Sequence, residues 1–333
     1  MSKPTLDDYM RFIFTEFEQF EQNPGPYWKK GSYVKADEKS LLVFFMTMQF
    51  RRIYQFKTQH RWLVDHPQQQ SQMKLQQVPG RTTLSGRYKD LYETIQAFMA
   101  FLGQRALEID VTFDNQHLYE DKSLFKALGP VWHQKDRRAG RIPNRLRHLD
   151  IDATWSKSGY HGWVYGYGLH LTCNQAVLPL LVQVETGSLS EKHVIDAKET
   201  QIIYHFDPQT LSADNSYAQA SRIRRWAKQG VVLLSPALKW RNGRYAQAYH
   251  RFIRRPYWQQ VLRSRGSTIE PLFTLVAQVI GTTGRQKQLP VQGLHNVRTC
   301  LALASLSVQI AMLINSLWHL PLRSMSYIHS AFT

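Results

Sequence analysis

Apolar and polar residues alternate at helical spacing over 5–22 and again over 39–64, where LLVFFMTMQF runs into Arg51, Arg52, Lys57 and Arg61. Both segments read as amphipathic helices. The Gln-rich run 67–77 holds few apolar residues and reads as a solvated connector. Past Pro79-Gly80, Ser85 is placed to cap a helix carrying Leu91, Ile95, Phe98 and Leu102 on one face. That helix suits either the second half of a helix-turn-helix within 79–104 or one member of a plain helical bundle.

The texture changes from residue 106. ALEIDVTF, GWVYGYGLHL and AVLPLLVQV are short apolar runs that read as strands, the last two close enough to pair antiparallel. The stretch 185–206 then reads as a helix, TLSADNSY as a strand, AQASRIRRWAKQ as a helix and GVVLLSPA as a strand. IEPLFTLVAQVIG and 291–317 read as closing helices. This order predicts an α/β protein with a mixed central sheet flanked by helices. Residues 1–105 form a helical, DNA-binding domain in this reading, and 106–320 the sheet domain, with a basic insertion at 114–161. Residues 321–333 form a tail. The run Thr299–Trp318 approaches the length of a membrane span, but Gln309 and Asn315 interrupt it, so a buried helix is expected.

Charge narrows the choice of partner. The 333 residues carry 42 Lys and Arg against 25 Asp and Glu, a net +17, which implies an anionic partner, nucleic acid ahead of a membrane surface. Cys173 and Cys300 have neither zinc spacing nor a disulfide pattern, and MSKPTLDDYM lacks a signal-peptide layout. A cytoplasmic protein is the expectation. Nucleotide-binding glycine loops, HExxH helices and Ser-His-Asp orders do not occur, which removes support for ATP-driven and common hydrolase chemistry.

Three acids stand out. Asp110 in LEIDVTF interrupts what reads as a buried strand, where an unpaired charge costs several kcal/mol unless a cation compensates. Asp214 sits at the end of the TLSADNSY strand, where ligand chemistry gathers in such sheets. Glu270 in STIEPLF opens a helix within a long basic stretch. Two strand aspartates and a helix glutamate suit two hard, oxygen-loving cations, and two such ions perform phosphoryl transfer. Asp152 in LDIDATW also opens a strand and is the alternative first aspartate.

These segments, IDVT, the stretch 129–171, LSADNSYAQASRIRRWAKQG, and RSRGSTIEPLFTLVAQVIG with the helix after it, resemble in order the DDE transposases of bacterial insertion sequences. The resemblance covers about residues 107–317. It implies a ribonuclease-H-like fold, with Asp110, Asp214 and Glu270 holding two Mg²⁺ or Mn²⁺ ions. It also implies double-stranded DNA substrates, the terminal inverted repeats and a target, brought together by a homodimer. A nuclease that cuts without joining, and an inactive DNA-binding derivative, are the competing readings. Two family features are missing: Arg263 and Gly266 stand at the positions upstream of the glutamate, and Ala277 stands where a lysine is usual.

Candidate DNA contacts follow from the basic clusters. They are Arg87 and Lys89 near the first long helix's start, and Lys135, Arg137, Arg138, Arg141 and Arg145 in the insertion. Arg241, Arg244, Arg254, Arg255, Arg263 and Arg265 lie in an aromatic-rich stretch before Glu270.

Overall fold

A computed structural model describes residues 3–26, 28, 37–159, 162–236 and 243–333. Its N-terminal part is helical: α1 (Leu6–Gln22), α2 (Glu38–Phe50), α3 (Phe56–Asp65), α4 (Pro67–Gln72) and the long α5 (Arg81–Ile109). The strands are β1 (His117–Lys126), β2 (Thr154–Ser158), β3 (Gly162–Asn174), β4 (Pro179–Thr186), β5 (Thr210–Ser212) and β6 (Val232–Leu234). Between and after them come α6 (Gln134–Arg138), α7 (Glu191–Phe206), α8 (Ala220–Lys228), α9 (Arg244–Ile253), α10 (Pro256–Val279), α11 (Leu294–Leu317) and α12 (Ser326–Phe332).

β1, β3 and β4 form an antiparallel meander, and β5 and β6 then add in parallel beside β1. The resulting mixed sheet, flanked by helices, is the ribonuclease-H-like fold. β3 is long enough to hold β2 along its first residues and β4 along the rest of the same edge. At the junction Gly166 lets the backbone of Phe125 approach so closely that an added Cβ would lie 1.9 Å from its carbonyl oxygen.

The first strand is not where the apolar pattern put it. ALEIDVTF ends the 29-residue helix α5, and Asp110 is that helix's C-cap. The segment 114–161 is accordingly not an insertion, since it contains β1, a central strand. The Gln-rich stretch is also more ordered than a connector: Pro67 starts the short helix α4, and Met73 and Leu75 behind it are buried.

β1 escapes a period-2 reading because Glu120, Asp121 and Lys122 stand in a row at its centre. Each charge has its own counterpart. Glu120, fully buried, faces Lys198 of α7 at 3.0 Å and accepts the Thr172 hydroxyl. Asp121 meets Arg265 of α10 at 2.9 Å. Lys122 donates to the carbonyls of Gly187 and Leu189 at 2.8 and 2.9 Å.

α11 is the apolar run that approached the length of a membrane span, and 89% of its most apolar window is buried inside the protein. It packs on α5, β4, α10 and α2. Its polar residues tie it to neighbours: Gln309 donates to the Met99 carbonyl at 2.9 Å, and Asn315 to the carbonyls of Pro321, Leu322 and Ser324. Satisfied in this way, buried amides cost little and fix helix register. The N-terminal helices and the sheet share one continuous apolar core that runs from Tyr9 to Phe332.

Candidate active site

The parallel ladder sets up the site. Pairing between β1 and β5 ends at Tyr119 opposite Ser212, and two residues beyond this pair on each strand come Asp121 and Asp214. Both open onto a cleft of about 540 Å³, which Glu191 and Glu270 also line. Glu270 reaches it from α10, which is pinned to β1 by the Asp121–Arg265 ion pair and by the Tyr119 and Ser264 hydroxyls, 2.9 Å apart. Glu191 is the first residue of α7, where the helix N-terminus favours an acid.

Electrostatically the cleft holds more acid than its fixed cations settle. Burial pushes the Asp121 carboxyl up to about 6, against the pull of Arg265 and with Asp214 and Glu191 adding to the rise. Burial also raises the Glu191 carboxyl, opposed by the Ser216 hydroxyl. Asp214 caps the turn Asn215–Tyr217, its Oδ1 accepting the Ser216 amide at 2.7 Å and the Ser216 hydroxyl at 2.6 Å. Lys287 enters from the loop after α10 to the Ser123 hydroxyl, and burial lowers its ammonium while Asp121 and Glu270 support it.

Of the sequence candidates, Asp214 and Glu270 come together here, and neither candidate for the first aspartate lines this cleft. Asp110 accepts the Thr112 amide at 2.8 Å and the Ser316 hydroxyl, which holds its carboxyl below the usual range. Asp152 lies in the turn before β2 and accepts the Leu294 amide at 2.9 Å, at the start of α11, where Asp150 also accepts from Gly293. Asp121, Glu191, Lys157 and Lys287 line the cleft without having been singled out in the sequence. Ala277 is fully buried, so a lysine there would face the core. The signal for Asp121 was available: a charged triplet between Leu118-Tyr119 and Leu124-Phe125.

The basic candidates divide. Arg87 is 9% exposed and pairs with Glu38 at 3.2 Å, which removes it from contact with a phosphate; Lys89, on the same helix, is exposed. Lys135, Arg138, Arg141 and Arg145 are exposed, although Arg141 pairs with Asp136, and Arg137 stacks over Trp132. Arg244, Arg254, Arg255 and Arg263 are exposed along α9 and α10. Arg265 is engaged with Asp121, and Arg241 lies outside the described residues.

Residues 143–306 match the model of a family described as the transposase DDE domain. The chain carries a DDE transposase domain. The matched span contains Glu191, Asp214 and Glu270, while β1 with Asp121 lies upstream of it. No curated protein and no solved structure matches the chain. As a transposase it acts on DNA.

The family's divalent ions find suitable donors here. Asp121, Glu191, Asp214 and Glu270 offer the hard carboxylate oxygens that Mg²⁺ and Mn²⁺ prefer, and the raised Asp121 carboxyl marks a deficit of positive charge. Among the described residues no three His, Cys, Asp or Glu side chains stand close enough to hold one ion as they are. Arg265 meanwhile occupies Oδ2 of Asp121.

Proposed function

We propose that this transposase cuts DNA at the ends of a mobile element and joins the freed 3′-hydroxyl to a target, with Asp121, Asp214 and Glu270 as its metal-holding acids. The supporting observation is the register: Asp121 and Asp214 fall equally far beyond the last pair of adjacent parallel strands, on a cleft that Glu270 also lines. Bound there, two divalent ions would supply a polarised attacking oxygen and a stabilised leaving oxygen.

The chain's own groups do the remaining work. Asp121 and Asp214, on strands fixed by the sheet, hold their carboxylates at one place with little freedom, so no reorganisation is needed when the phosphate arrives. Lys287 and Lys157 add positive charge at the cleft for the phosphodiester backbone, and Lys287 supplies the cation missing at Ala277. The exposed arginines of 135–145 and of α9–α10 hold flanking duplex, and pairing two element ends calls for a homodimer.

The test is magnesium-dependent cleavage and strand transfer on end-containing DNA, with pre-cleaved ends to isolate joining. D121N, D214N and E270Q should each lose at least a thousandfold of both steps while still binding DNA. D110N and D152N should keep them, D152N with a lowered Tm because it weakens a cap of α11 worth about 1 kcal/mol. Activity in D121N together with its loss in D110N would return the first seat to Asp110. Full cleavage without joining of pre-cleaved ends would mean a nuclease.

A further inference from the structure

One hydroxyl in the cleft serves two carboxylates. Ser216 Oγ lies 2.6 Å from Oδ1 of Asp214 and also in hydrogen-bond contact with Oε2 of Glu191. A serine hydroxyl has a single proton to donate, so only one of these oxygens receives it. The other faces an oxygen lone pair across a short gap, an arrangement that calls for a second positive centre.

The cations nearby are committed elsewhere. Lys122 spends its ammonium on the Gly187 and Leu189 carbonyls, and Arg265 is paired with Asp121. Arg222 and Arg225, on α8, turn to Asp196 and Glu199 farther along α7. None of these printed bonds reaches Glu191. Its place is nonetheless rigid: Ser190 caps the helix that it starts, and it lines the same cleft as Asp121, Asp214 and Glu270.

We propose that Glu191 is a fourth carboxylate of the metal site and shares one divalent ion with Asp214. This inference rests on the metal-holding role given above to Asp121, Asp214 and Glu270. The ion provides the positive centre that Ser216 cannot, and Ser216 keeps the two carboxylates at a common distance from it. Four acids around two ions also explain why the cleft gathers more negative charge than its lysines and arginine balance.

Calorimetric titration of the full chain with Mn²⁺ tests it without relying on turnover. E191Q, which keeps the side chain's shape, should weaken one Mn²⁺ site at least tenfold, as D214N does, with an unchanged circular dichroism spectrum. S216A should stay within threefold of the parent, because it removes the bridge and keeps both carboxylates. E191H should restore a ligand of different preference and gain affinity for Co²⁺ relative to Mn²⁺, seen in the visible absorption of bound cobalt; it decides the matter if E191Q does not fold. Parental Mn²⁺ binding in E191Q beside weakened D214N would overturn the role of Glu191 alone, as would an S216A loss equal to that of E191Q. If D121N, D214N and E270Q all bind Mn²⁺ like the parent, the metal reading itself falls and this inference with it.

Discussion

Glu120 and Asp121 are adjacent on β1, yet they are neutralised from opposite sides of the sheet, Glu120 by Lys198 of α7 and Asp121 by Arg265 of α10. The first pair is sealed, with side chains 0% and 3% exposed, whereas the second opens on the cleft. Strand alternation thus divides two neighbouring acids between structure and chemistry. Burial drives the sealed pair toward neutrality, raising the Glu120 carboxyl and lowering the Lys198 ammonium, each opposed by the other's charge.

Removing one partner of that pair should therefore be costly. K198M leaves Glu120 buried without its cation and should lower stability by about 3–5 kcal/mol, while E120L/K198M should recover most of the loss. Urea denaturation measures both. A K198M midpoint unchanged from the parent would mean that the pair is not sealed as described.

The pH response of the metal-free protein should carry the signature of Asp121. Its carboxyl is pushed up to about 6 in the fold, against about 3.9 in an unfolded chain. Above both values the fold bears the ionised acid and its full cost. Between them the folded chain keeps a proton that the unfolded chain has lost, so this residue's contribution becomes more favourable as pH falls from about 7 toward 4. Below that range both states are protonated and the change stops. Comparison with D121N isolates the effect from Glu120 and Glu191: with chelator present, the parent should gain on D121N between pH 7 and pH 5. A flat difference, or one of opposite slope, would contradict the raised carboxyl.

Where side-chain pattern and environment agreed, the fold was legible. Asp214 and Glu270 stood out because a strand end and a helix flank announce themselves by short apolar runs beside an acid. The first seat was not legible, for a physical reason. Leu107, Ile109, Val111 and Phe113 alternate like a strand, but the chain spends Leu107 and Ile109 on the last turn of α5, and Val111 is 80% exposed. β1, in contrast, looks like a solvated loop, because the partners of its three charges come from α7, α10 and the segment after β4. Only tertiary contacts could reveal them. Lys287 and Glu191 were hidden in the same way, one on a loop and the other at a helix start, with no local pattern to mark the cleft.

The arginines can be sorted by salt. Arg138 and Arg145 are exposed, whereas Arg87 is sealed against Glu38, at 10% and 18% side-chain exposure. A phosphate contact releases condensed counterions, so each one lost should reduce the slope of log K against log salt by about 0.9. R138A/R145A should therefore weaken duplex binding across unrelated sequences and flatten that slope by about 1–2, with no change in urea midpoint. R87A should behave in the opposite manner. It strands Glu38 in a largely enclosed site, so the midpoint should fall while the salt slope of the folded fraction stays parental. If R87A flattens the slope as much as R138A/R145A, the start of α5 must turn outward on DNA, and the sealed pair would be a feature of the free protein alone.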